Sequence, residues 1–392
     1  MLRFGKFASV CAIALMAGNA GLAYAEDTVK VGLIFSLSGP GAVLGTEMQK
    51  GADLALEQAG GKLGGLDTTF IYEDDQRKPD VGKVAAERLT RSEKVDFVIG
   101  PSYSNVMMAV HTPTVRAGAI LISPNPAPAP LAGKECNANY FAVPFQNDQP
   151  SEALGIYLDK QNIKRVMVIT ANYQAGKDVA AGFKRTYKGE LAGEIYPSLE
   201  QNDFSAELTD IKSKAPEAVF AFLPGAQGVQ FVKQYEQAGL KNVAPLYTQW
   251  TLFNGPSLDA IGSAAEGVYS IEPWTYDMDN PANKAFVEAF KKKYGSLPSN
   301  FAAMAYDAVR LIDGSVKKAG GIADKDAVRA AMRAASFESV RGDFAFANNH
   351  HPIHSMYLAK VVAGPDKGFS VHNEGLIAEK MTDVYAAQCE LN

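Results

Sequence analysis

From Thr28 onward the chain alternates short apolar runs with amphipathic stretches, and this rhythm most constrains what it can fold into. "TVKVGLIFSLSG", "DTTFIYEDD", "VDFVIGP" and "AILISP" are strand-like runs separated by stretches with helical apolar spacing, such as "LGTEMQKGADLALEQAGG". Most of the strands lack polar/apolar alternation, which predicts parallel sheets covered on both faces. The rhythm breaks at "YFAVPFQNDQPS" and restarts with "RVMVITAN", "EAVFAFLPG" and "APLYTQW". It breaks again at "AEGVYSIEPW", before a long helical region and a last strand, "HSMYLAKVVA". At 392 residues the chain exceeds what one core holds, roughly 250–300 residues, so two α/β halves are expected. In open parallel sheets ligands bind beyond the carboxyl ends of the strands. Here those ends are small, hydroxyl-bearing or aromatic: "FSLSG", "GPSYSN", "SPNPAPAP", "TANYQAG", "LPGAQG" and "TQWTLFN".

The first 25 residues carry Arg3 and Lys6, a short apolar core and then Ala23-Tyr24-Ala25, the pattern of a cleaved secretory signal peptide. A lipoprotein would need a cysteine at the cleavage point, and Cys11 sits too early. Removing the two basic residues takes the net charge from −5 to −7, which argues against nucleic acid or anionic lipid as partner. Cys136 and Cys389 remain, and one pair in an oxidising compartment is expected to form a disulfide.

Chemistry was sought and is sparse. There is no Walker-type phosphate loop, no GxGxxG after the first strand and no GxSxG elbow. "NHHPIH" places His351 and His354 three apart, but Pro352 intervenes and no carboxylate lies beside them, so no metal is expected. "YEDDQRKPD" is read as a charge-balanced turn. No catalytic residue and no cofactor are assigned, and the chain is expected to be a binder, not an enzyme.

"VKVGLIFSLSGPGAVLGTEMQKGADLALEQAGG", "FVIGPSYSNVMMAV", "AILISPNPAPAP", "ANYQAGKDVAAGFK" and "NPANKAFVEAFKKKYGSLPSNFAAMAYDAVRLI" together resemble type I periplasmic solute-binding proteins of ABC transporters, in the branched-chain amino-acid class. The resemblance runs from about Thr28 to about Ala363. It implies two doubly wound parallel-sheet lobes joined by three crossover strands, near Val143–Gln149, Ile271–Tyr276 and Phe346–His354. Lobe one is then expected over 26–145 and 274–347, and lobe two over 146–273 and 348–375. A C-terminal tail over 376–392 would be tied back by the disulfide.

By position in the resemblance, Ser102, Tyr103, Ser104, Asn125 and Ala127 inherit the ligand-carboxylate place in lobe one. Tyr173, Gln227, Gln249 and Trp250 fall in the ligand loops of lobe two. Ser104 and Asn105 could equally cap the helix that follows. Amino-acid binders of this class place a carboxylate opposite the ligand ammonium, in the loop matching "TQWTLFN". This chain has Gln249, Trp250 and Thr251 there, and an uncompensated buried cation costs several kcal/mol in order of magnitude. The expected ligand is therefore a small organic acid, an aromatic carboxylate of the benzoate or hydroxycinnamate type, with Phe35 and Trp274 as further ring candidates. A branched-chain or other neutral amino acid is the alternative within the class, and a sensory ligand-binding protein the alternative outside it. The implied partner is an inner-membrane ABC permease, the chain itself being a periplasmic monomer. The four alternate prolines of "SPNPAPAP", Pro124 to Pro130, are expected to make a stiff pocket wall with few N–H donors. Whether Arg77 or Arg341 reaches the cleft is left open by the sequence.

Overall fold

The computed structural model describes residues 1–2, 5, 28–253, 255–364 and 368–391. The signal peptide expected over 1–25 lies almost wholly outside the described residues.

The first sheet is built from β1 (Val29–Phe35), β2 (Lys62–Leu63), β3 (Leu66–Asp74), β4 (Phe97–Ile99), β5 (Ile120–Ser123) and β6 (Tyr140–Ala142). Its order is β2-β3-β1-β4-β5-β6, parallel throughout except for the β2–β3 hairpin. The second sheet holds β7 (Arg165–Thr170), β8 (Glu190–Ile195), β9 (Ala218–Phe222), β10 (Leu246–Gln249), β11 (Tyr269–Glu272), β12 (Ala345–Phe346), β13 (Pro352–Ala363) and β14 (Phe369–Met381). Its order is β12-β13-β11-β10-β9-β7-β8, with β14 on β13. The inner strands run parallel; β13 and β14 are antiparallel additions at one edge. The architecture is the two-lobed α/β arrangement that the strand rhythm implied.

The continuous apolar runs become the centres of the sheets: Val31, Leu33, Ile34, Val98, Ile99, Leu121 and Ile122 in the first, and Val166, Val168, Val219 and Phe220 in the second, all essentially without solvent exposure. Each such side chain stabilises the fold by about 1.5–3 kcal/mol on burial. The helices Pro281–Tyr294 and Asn300–Ala319 return to the first sheet's lobe. Tyr306 Oη donates to Gln58 Oε1 (2.6 Å), and Gly64 N–H donates to Asp313 Oδ1 (2.8 Å).

Two elements depart from the sequence reading. Gln149–Lys160 is a helix whose buried face carries Ala153, Leu154 and Leu158. Its start, "QNDQPS", looks like a turn, yet Pro150 sits where a helix tolerates proline, in the first turn. The stretch from 376, expected as tail, instead continues β14 to Met381, so the tail proper begins after it. Cys136 and Cys389 are joined in a disulfide.

The crossover segments are packed hard. Arg341 donates to the carbonyls of Val143 (2.5 Å) and Pro144 (2.8 Å), and sits beside the buried Asp307. It therefore braces the first crossover and does not line the cleft. The "NHHPIH" histidines are wall residues of the same region. His350 stacks on Phe141 at 4.1 Å, His351 meets the edge of Tyr140, and His354 Nε2 lies 3.3 Å from Gln149 Oε1. Burial lowers the pKa of His350 to about 4 and that of His354 to about 3, so both are neutral. Among the described residues, no group of three or more His, Cys, Asp or Glu could hold a metal ion. No described helix is long and apolar enough to cross a membrane.

Candidate functional site

Ser102, Tyr103 and Ser104 follow β4 and open the helix Ser104–Arg116. The N-cap is Tyr103, in extended conformation, and no side chain caps it; Ser104 is the first helical residue. The expected capping role of Ser104 and Asn105 is therefore not what the fold uses. The same arrangement recurs after β7, where Tyr173 is the uncapped N-cap of the helix Gln174–Thr186. The first-turn N–H groups of both helices lack intrahelical partners and carry the positive end of the helix dipole. Gly176 lets the second of these helices close onto its own strand end, since a methyl group there would meet the Ala171 carbonyl oxygen at 1.8 Å.

Between these two helix starts lies a narrow cavity. Ser102, Tyr103, Ser104 and Asn125 line it from the first lobe, and Tyr173, Gln249 and Trp250 from the second. Its lining includes no Asp, Glu, His, Lys or Arg. The rings form a cage: Tyr103 and Tyr173 face each other across the lobes at 6.3 Å, Tyr173 stacks on Phe222, and Phe145 meets Trp250 edge-on at 5.3 Å. Phe145 and Phe222 were missed by the sequence reading. Phe222 ends β9 one residue before "LPG", and Phe145 sits in the first crossover; both positions carry the signal of an aromatic at a strand end.

Ala127 and Gln227 are placed elsewhere. The Ala127 N–H donates to Asn147 Oδ1 (2.9 Å), and Gln227 Nε2 is bonded to the Ser198 carbonyl. Neither lines the cavity. The proline loop gives even fewer donors than expected, because the Ala129 N–H is also taken, by Asp178 Oδ2 at 3.2 Å. Asn125 turns its side-chain amide onto the Ser102 carbonyl. Of the other rings proposed, Trp274 donates to Asn283 (2.7 Å) and Phe35 packs near Tyr72, both outside this cavity.

Asn147, unmarked in the sequence reading, holds the site together. Its Nδ2 donates to Ser104 Oγ (3.2 Å) and to Asp178 Oδ2 (2.9 Å). Ser104 Oγ thus has an acceptor role filled and keeps its own proton to donate. Burial, with the charge of Asp148 nearby, raises the Asp178 carboxyl to about 6. Burial pushes the Tyr103 phenol up to about 12, against the opposing pull of Arg77, so it stays neutral. Arg77 does not line the cavity; its guanidinium lies over the Tyr103 ring at 5.7 Å and pairs with Glu200 of the other lobe.

Two α/β lobes enclosing a small cavity without charged side chains in its lining define a two-lobed binder of small solutes. The periplasmic binding protein family matches this chain over residues 28–367. Leu/Ile/Val-binding protein homolog 6 of Brucella melitensis biotype 1 is 31% identical, the match covering 96% of this chain and 98% of that protein. The solute-binding protein of an ABC transporter from R. palustris, solved in complex with benzoate, superposes with a TM-score of 0.88 at 34% identity, covering 93% of this chain and 100% of that one. A second, from Rhodopseudomonas palustris BisB5 with 3,4-dihydroxy benzoic acid, gives 0.85 at 28% identity, covering 92% and 99%. The chain belongs to the periplasmic binding protein family, and it is a solute-binding protein of the ABC-transporter type.

Proposed function

We propose that this chain captures a small aromatic carboxylate in the interlobe cavity and delivers it to an ABC permease. The observation that carries the reading is the lining itself: aromatic faces from both lobes, two uncapped helix starts, and no carboxylate to pair with an ammonium. A carboxylate fits such a place, because hydroxyls and free N–H groups at a helix start bind anions. Ser102 and Ser104 supply the hydroxyls, and Tyr103, Tyr173 and Trp250 supply the ring faces, each aromatic pair contributing roughly 0.5–1.5 kcal/mol beyond burial. The benzoate complexes of similar solved structures support the same class.

The second reading, a branched-chain amino-acid carrier, is favoured by the names of the sequence relatives. Isothermal titration with benzoate and leucine separates the two. Benzoate is expected to bind and leucine not to; leucine binding without benzoate binding would sink the proposal. The proposal includes export through the N-terminal signal peptide and a monomeric chain that closes around its ligand by hinge motion, with lobes changing over near residues 145, 273 and 347.

A further inference from the structure

Three cavity-lining side chains carry a buried polar atom with no hydrogen-bond partner among the described residues: Tyr103 Oη, Gln249 Nε2 and Trp250 Nε1. Gln249 and Trp250 are each 2% exposed, so water does not serve these atoms readily. Both belong to the second lobe, at and just beyond the end of β10, across the cleft from Ser102 and Ser104. An indole N–H is a donor and cannot act as an acceptor. A buried donor without an acceptor is unfavourable, so a ligand that brings an acceptor to these two gains what they lack.

We propose that the second-lobe wall selects for an oxygen acceptor on the end of the ligand remote from its carboxylate, through Trp250 Nε1 and Gln249 Nε2. This rests on the aromatic-carboxylate reading and narrows it to ring-oxygenated acids. Tyr103, whose hydroxyl can donate or accept, is left out of the selection. The same two donors oppose an ammonium, which brings only further donors to a wall with no acceptor charge. They also leave unsubstituted benzoate a poorer ligand, since a bare ring edge gives them nothing to bond.

The test is isothermal titration of the full mature chain with 4-hydroxybenzoate, benzoate, 4-aminobenzoate and leucine, repeated on Trp250→Phe and Gln249→Met. In the wild type 4-hydroxybenzoate is expected to bind about tenfold or more tighter than benzoate, with 4-aminobenzoate no better than benzoate. Trp250→Phe keeps an aromatic face and removes the N–H, so the ratio of 4-hydroxybenzoate to benzoate affinity falls toward one, whatever the change in absolute affinity. Gln249→Met reports the second donor in the same way, and should Trp250→Phe fail to fold it carries the test alone. Equal wild-type affinity for benzoate and 4-hydroxybenzoate would overturn this inference and leave the aromatic-carboxylate function standing. A preference that survives both substitutions would also overturn it. Binding of leucine with no aromatic acid bound would overturn the function itself.

Discussion

Ser104 and Glu272 show how differently two buried polar side chains serve this protein. Ser104 Oγ accepts from Asn147 Nδ2 and keeps its own proton free to donate, which the proposed function assigns to the ligand carboxylate. Ser104→Ala is expected to weaken carboxylate binding by roughly tenfold, near the 1.5 kcal/mol typical of a hydrogen bond to a charged group, as read by titration calorimetry. Glu272, at the end of β11, accepts from Ser270 Oγ (2.5 Å) and Asn300 Nδ2 (2.8 Å) away from the ligand cavity. Burial raises its pKa from the ordinary 4.5 to about 8, only partly offset by those bonds. Between those values the native state holds a proton that the unfolded chain has lost, so this group's contribution to stability falls as pH rises through the window. Glu272→Gln escapes that loss. Its unfolding free energy, read by denaturant titration, should gain on the wild type between about pH 5 and about pH 8, by on the order of a few kcal/mol. A constant difference across that range would refute the assignment.

The elements carry a second kind of information, visible in the proline loop and the C-terminal tail. The loop after β5 was legible as a rigid, donor-poor wall because proline has no N–H, and Pro126 does line the cavity. That Ala127 and Ala129 have their N–H groups taken by Asn147 and Asp178 was not legible, because both partners lie outside the loop and one comes from the other lobe. Continuous apolar runs, which leave few alternatives, placed the long inner strands, whereas the two- and three-residue strands β2, β6 and β12 were not marked. The helix Gln149–Lys160 and strand β14 escaped because their burial is set by tertiary contacts: one begins in polar turn residues, and the other is an edge strand whose side chains are mostly at least partly exposed. Of the candidate site, Ser102, Tyr103, Ser104, Asn125, Tyr173, Gln249 and Trp250, marked by their place in the resemblance, do line the cavity. Asn147 was not marked, as its role is to bridge three segments. The tail is anchored by the disulfide, by Asn348 and Asn349, and by Tyr385, whose hydroxyl donates to Asp148 (2.8 Å). Cys389→Ser is expected to destabilise the fold by about 2–4 kcal/mol, measured by denaturant unfolding, with ligand affinity nearly unchanged.

Across the whole molecule, the lobes also meet outside the cavity lining. Arg77 and Glu200 pair across the cleft, and the Arg77 side chain is only 7% exposed whereas that of Glu200 is 71% exposed. Such a half-exposed pair contributes roughly 0–1 kcal/mol. Arg77→Gln should therefore speed ligand release by no more than about fivefold in stopped-flow measurements, and the wild-type rate should approach that of the variant at high salt. Arg341 acts within the first lobe, where it ties Asp307 to the first crossover. Burial lowers its pKa to about 10, and Asp307 beside it is fully buried. Arg341→Met leaves that carboxylate without its partner and is expected to cost about 3–5 kcal/mol in thermal unfolding. The buried histidines act in the opposite pH sense to Glu272. His111, His350 and His354 have pKa values depressed by burial to about 4, 4 and 3, so their stability contribution is lost as pH falls below the ordinary 6.5. The disulfide has one more consequence at this scale. The backbone passes between the two lobes three times, and the last strand of the second sheet leads into a tail bonded at Cys389 to Cys136 of the first lobe. The lobes are thus joined by four covalent paths, and cutting any one crossover strand leaves both halves on a single molecule until a reductant is added. A protease nick at a crossover would pass unnoticed by size on a non-reducing gel, a form of mechanical redundancy.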